Sequence, residues 1–258
     1  MKKVLAAALL CAVSAFATWD YFPVKDAGKG EAKLGLAYGM QGDWSTFGLS
    51  AQARFSVIEG LEVALFTAFP MTVSYDGESC DSDFMDCPPS MAKPVIGLRY
   101  WLPMGLGIGL DVDLPFQGDY YGGGDAANLV FTPAIQYSTK LGAELELGSQ
   151  INFSIPLENT NKMAPPMELG IGLELDYSIG SVTPFVGVDV AIELTGPSYD
   201  GETDDDYKTA TGIMPYVGVI YKINDMFVVD ASVAFGIGED YFGEDMPISI
   251  GASFAINF

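Results

Sequence analysis

Apolar residues recur at every second position along most of the chain. Over 168–178, Leu169, Ile171, Leu173, Leu175 and Tyr177 form one set, and Glu168, Gly170, Gly172, Glu174, Asp176 and Ser178 the other. A period of two describes an extended strand with one apolar and one polar face. Segment 141–156 repeats it, with Leu145, Leu147, Ile151 and Phe153 opposite Glu144, Glu146, Gln150 and Asn152. The last stretch sets Ile248, Ile250, Ala252, Phe254, Ile256 and Phe258 against Ser249, Gly251, Ser253, Ala255 and Asn257. The pattern predicts twelve strands, at 31–40, 46–57, 60–70, 93–102, 104–115, 128–138, 141–156, 166–178, 181–195, 210–222, 225–238 and 246–258. Most reach the roughly 9–11 tilted residues that cross a bilayer.

The connections alternate in length. Short ones fall near 57–60, 102–104, 138–141, 178–181 and 222–225, and longer ones at 41–45, 71–92, 116–127, 157–165, 196–209 and 239–245. This is the rhythm of an up-and-down antiparallel barrel with short turns at one end and long polar loops at the other. A secreted β-sandwich also alternates. Three features favour the barrel. No charge enters the apolar faces so assigned, and the opposite faces are rich in Gly, Glu and Asp. Aromatics (Phe55, Tyr100, Tyr137, Tyr177, Tyr221, Phe227 and Phe258) end the apolar faces beside the short turns, where an interfacial girdle belongs. Closure removes strand edges that lipid cannot satisfy.

The start of the chain adds export. Lys2 and Lys3 precede an apolar run, and Ala15-Phe16-Ala17 supplies a small-residue cleavage site, so 1–17 reads as a secretory signal peptide. Residues 18–30 are then a short periplasmic segment, too short for a large plug, and 31–258 the barrel.

Charge sharpens the picture. Twelve Lys and Arg face thirty-four Asp and Glu, for a net charge of −22, while the mean hydropathy is positive. Acidity and apolarity must therefore be segregated in space, and nucleic acid and anionic membrane surfaces are poor partners; no nucleic acid is expected. Histidine is absent, which removes histidine-based triads and zinc sites. The acids assigned to the inner face are Glu31, Glu62, Asp111, Asp113, Glu144, Glu146, Glu168, Glu174, Asp176, Asp189, Glu193 and Asp230, opposed there by Lys33, Arg54, Arg99 and Lys222. So few cations cannot pair so many carboxylates in a dry interior, so either the lumen is wet or many of these acids are protonated; a wet lumen is the simpler reading, and it would attract cations. Inner glycines (Gly105, Gly107, Gly109, Gly170, Gly172, Gly187) leave room for water or serve curvature. Acid pairs such as Asp111/Asp113 and Glu144/Glu146 would suit acid–base work by their spacing, but line a lumen as readily; no enzyme is expected.

The loops carry further chemistry. "SYDGES" (74–79) and "SYDGET" (198–203) nearly repeat, and Asp204, Asp205 and Asp206 follow the second. Such oxygen-rich loops are weak candidates for loosely held Ca²⁺, though neither has a full EF-hand spacing. Cys80 and Cys87, in an oxidising compartment, are expected to form a disulfide.

Together the leader, the strand–turn rhythm and the terminal strand ending in Phe258 resemble a bacterial outer-membrane β-barrel protein. The resemblance implies location in outer-membrane lipid. It also implies that Phe254, Ile256 and Phe258 form the signal read by the barrel-assembly machinery. With it goes a porin-like passive channel for small neutral or cationic solutes, lined by Glu62, Asp111, Asp113, Glu144, Glu146, Glu174, Asp176, Asp189, Glu193, Asp230, Arg54 and Arg99. The alternative is a structural or surface-interaction barrel with a constricted lumen and working loops.

Overall fold

The alternating segments pair with their sequence neighbours, each antiparallel to the next, and the first pairs with the last. The computed structural model describes residues 21–75, 78–79, 94–115, 128–203 and 207–258. The wall comprises β1 (Gly30–Gln41), β2 (Trp44–Ile58), β3 (Leu61–Tyr75), β4 (Val95–Trp101), β5 (Leu106–Asp113) and β6 (Val130–Lys140). It continues through β7 (Leu145–Pro156), β8 (Glu168–Tyr177), β9 (Val182–Glu193), β10 (Thr211–Lys222), β11 (Phe227–Phe235) and β12 (Ile248–Asn257). Closure is set by the β1–β12 register, in which Glu31 faces Asn257 and Leu34 faces Phe254. Every wall strand thus has a partner on both sides, which closes the sheet on itself.

The two faces are inverted relative to a soluble protein. Leu34 is 65% exposed and Leu173 45%, whereas Glu62 is 2% exposed and Glu174 1%. Among the described residues no charged side chain falls on the outward set of any wall strand. Phe55, Tyr100, Tyr137, Tyr177, Tyr221 and Phe258 stand exposed beside the short turns, and Phe227 stacks on Phe254 at 5.6 Å between ring centroids. The expected girdle is therefore present.

Turns hold the register. Gly60 and Gly180 carry positive φ (78° and 63°) at the short-turn end, and Asn224 Oδ1 accepts from the backbone N–H groups of Met226 and Phe227, both at 2.9 Å. The 41–45 connection, expected among the longer ones, is a tight turn instead: Gln41 pairs with Trp44, and Gly42 adopts φ 54°. β7 begins at Leu145 rather than 141, which leaves Glu144 in the exposed turn before it. At the long-loop end, Met163–Ala164, Ser198–Tyr199 and Glu202–Thr203 form a small three-stranded sheet, beside which Lys162 and Asp200 pair. A one-turn helix, α1 (Glu239–Phe242), drops from the β11–β12 loop so that Phe242 is buried.

Candidate functional site

Alternation sends the charged side chains inward, and the register groups them by sign. On the β1–β5 side each wall cation has a carboxylate. Lys33 Nζ lies 2.7 Å from Asp230 Oδ2, Arg54 Nη2 3.4 Å from Glu31 Oε2 and Arg99 Nη2 3.1 Å from Asp111 Oδ2. Arg54 Nε also approaches Glu62 Oε2 at 3.8 Å. Opposite, β7, β8 and β9 contribute Glu146, Glu168, Glu174, Asp176, Asp189 and Glu193 and no lysine or arginine. Glu146 accepts from Ser138 Oγ at 2.8 Å, while Glu174 is buried against Asp176 and Tyr216. Asp113 lies at the long-loop end of β5 and lines a lumenal cavity. Of the residues expected to line the lumen, Glu144 is the exception: its carboxylate sits in an exposed turn near the Tyr177 hydroxyl on the outer face. Lys222 is likewise exposed, at the end of β10.

Several of the inner glycines seat a neighbouring side chain. A Cβ at Gly187 would collide with the Tyr216 ring, one at Gly107 with Trp101, and one at Gly170 with Asn152. Each of these is a directly opposed cross-strand pair, as is Phe185 over Gly218. Gly105 is a turn residue with φ 81°. Phe185, Met214, Tyr216, Ala234 and Phe242 form an apolar cluster inside the barrel, with Ile220 and Tyr241 packed on it. This filling was missed by reading the inner faces as uniformly polar. Its signal was β10, where Met214, Tyr216 and Ile220 make both faces apolar, the mark of a strand buried on two sides.

A segment outside the wall crosses the lumen. Gly28 N–H donates to Ser56 O and Gly30 N–H to Phe258 O, which anchors the chain at the short-turn end. Lys25 Nζ then reaches Glu31 Oε2 at 3.1 Å and Asn257 Oδ1 at 2.5 Å, still on the β1 side. Burial lowers the Lys25 pKa, an effect that the Glu31 carboxylate opposes. Beyond it Tyr21 is 6% exposed and lies against Gly148 of β7 and Gly172 of β8, its hydroxyl donating to Asp189 of β9. The described part of the 18–30 segment, residues 21–29, thus forms a strap across the bore.

Two further tyrosines from outside the wall meet acids of the same side. Tyr241 of α1 donates to Glu168 Oε1 at 3.0 Å, and Tyr207 donates to Glu193 Oε2 at 2.9 Å. Burial, reinforced by the Glu193 hydrogen bond, pushes the Tyr207 phenol up to about 12, and burial beside Glu168 raises Tyr241 as well. Between Tyr21 and Tyr241 lies a chamber of about 370 Å³, whose lining includes Gln52, Arg99, Asp111, Asp113, Glu168 and Asp189. Among the described residues no group of three acidic or cysteine side chains is placed to hold a metal ion. The expected disulfide pair, Cys80 and Cys87, and the weak calcium candidates, Asp204, Asp205 and Asp206, lie outside the described residues.

No family model matches the chain, and no curated protein matches it. Solved structures do. An outer-membrane channel from Pseudomonas putida F1 superposes with a TM-score of 0.69 at 12% identity, over 93% of this chain and 98% of that one. The NanC porin follows with a TM-score of 0.58 at 10% identity, over 86% and 98%. The KdgM porin gives 0.50 at 11% identity, over 86% and 97%. At such identities the likeness is one of fold, and it spans nearly the whole of each partner. The protein is a closed twelve-stranded antiparallel β-barrel with the fold of outer-membrane channels and porins.

Proposed function

We propose that the protein is a passive outer-membrane channel for small neutral or cationic solutes, its short turns in the periplasm and its long loops outside the cell. The outward apolar band and its aromatic girdle support insertion in a bilayer. One observation carries the selectivity: Lys33, Arg54 and Arg99 of the inner face sit in ion pairs, while β7–β9 add six acidic side chains and no base. A field of this kind, focused between low-dielectric walls, concentrates cations and repels anions. It reaches across a narrow bore, because the Debye length is about 8 Å at physiological salt.

A reversal-potential measurement under a KCl gradient tests the reading. K⁺ is expected to be favoured over Cl⁻, more strongly at low salt. Neutralising Glu146, Asp189 and Glu193 together should weaken that preference, whereas Glu144→Gln, in its exposed turn, should leave it nearly unchanged. Anion preference would overturn the reading. The strap and the apolar filling give the second reading its support: a structural barrel whose lumen is closed and whose acidic loops act at the surface. Stable insertion without conductance would favour it.

A further inference from the structure

The chamber between Tyr21 and Tyr241 has its own chemistry. Its lining carries four carboxylates (Asp111, Asp113, Glu168 and Asp189) against one guanidinium, Arg99, which already pairs with Asp111. Gln52, also in the lining, is 6% exposed and its carbonyl oxygen accepts no hydrogen bond. A buried acceptor left in this way costs free energy until a donor reaches it. Tyr21 closes the chamber toward the short-turn end and Tyr241 toward the long-loop end, and each presents an aromatic ring beside a carboxylate. Acceptors, net negative charge and ring faces together select a ligand rich in N–H donors, positively charged and with a short apolar body.

We propose that this chamber is a binding site for small organic cations, of which a short aliphatic diamine is the simplest form. An ammonium group would sit in the part of the chamber lined by Glu168 and Asp189, as a further donor beside the Tyr241 and Tyr21 hydroxyls. A second donor group would reach Gln52 across the bore. The proposal deepens the acidic-lumen reading and rests on it. It adds a saturable site with a recognised class of solute to what would otherwise be a sieve.

Calorimetric titration of the folded full-length barrel in detergent micelles tests it, with putrescine as probe. Butanediol and succinate, of the same carbon length, serve as the neutral and anionic controls. Putrescine is expected to give one saturable site, at least about tenfold tighter than either control, since each tenfold step is a modest electrostatic free energy. Glu168→Gln should weaken it by about tenfold, and Gln52→Leu should weaken it independently. Heat-modifiable gel mobility checks that each variant is folded. Putrescine binding no tighter than the diol would overturn the proposal. So would equal binding by wild type and Glu168→Gln, because the heat would then come from acids elsewhere. K⁺ preference without putrescine binding removes the chamber site and leaves the channel reading intact. Anion preference with putrescine binding removes the channel's selectivity and leaves the site.

Discussion

The inner glycines show how a residue's meaning depends on its opposite number. Gly187 faces Tyr216 across β9 and β10, and two pairs further along the same two strands, on the same face, Phe185 faces Gly218. The exchange lets two rings nest inside the wall at 6.3 Å between centroids and an interplanar angle of 62°. Edge-to-face rings at this spacing attract beyond their buried area. In the sequence the glycines stood out, but their occupants did not, because pairing large with small needs the register. Gly187→Val should push Tyr216 off its seat and cost about 1–3 kcal/mol, the usual range for overpacking. The thermal midpoint of the heat-modifiable band should fall, and Tyr216→Ala in the same chain should recover part of the loss. A Gly187→Val barrel as stable as wild type would mean the ring does not depend on that space.

Elements were legible where period two is strict. β1, β8 and β12 alternate without interruption, and each lies within a few residues of its expected place. β10 was also found, yet its inward Met214, Tyr216 and Ile220 revealed that part of the lumen is packed. The strap was not legible. Residues 21–29 have no periodicity, and the place of Tyr21 is set by Gly148, Gly172 and Asp189, far away in sequence. Lipid exposure of the outward faces has a direct test in β8. Leu173, midway along that strand and exposed, should tolerate arginine poorly, at a cost of about 2–4 kcal/mol near the bilayer midplane. Leu173→Arg should reduce the fraction of heat-modifiable, folded protein in membranes. Unimpaired assembly would place that face somewhere other than lipid.

At the scale of the whole molecule, twelve strands enclose a bore between those of small filled barrels and wide aqueous porins. The protein narrows it from three directions. The Phe185–Tyr216–Phe242 cluster fills the β9–β11 side, α1 brings Tyr241 in from the long-loop end, and the strap brings Tyr21 from the short-turn end. A chamber of about 370 Å³ remains between the two tyrosines. On the proposed channel reading, solutes cross this acidic, tyrosine-bounded passage, and Tyr21 of the strap is one of the two side chains that bound it. Unitary conductance in planar bilayers, for wild type and Tyr21→Ala, tests this account most directly. Wild type should open in small discrete steps, and Tyr21→Ala should raise each step by about twofold as the bore widens where ions are constrained. Identical steps in the two proteins, or none in either, would contradict it.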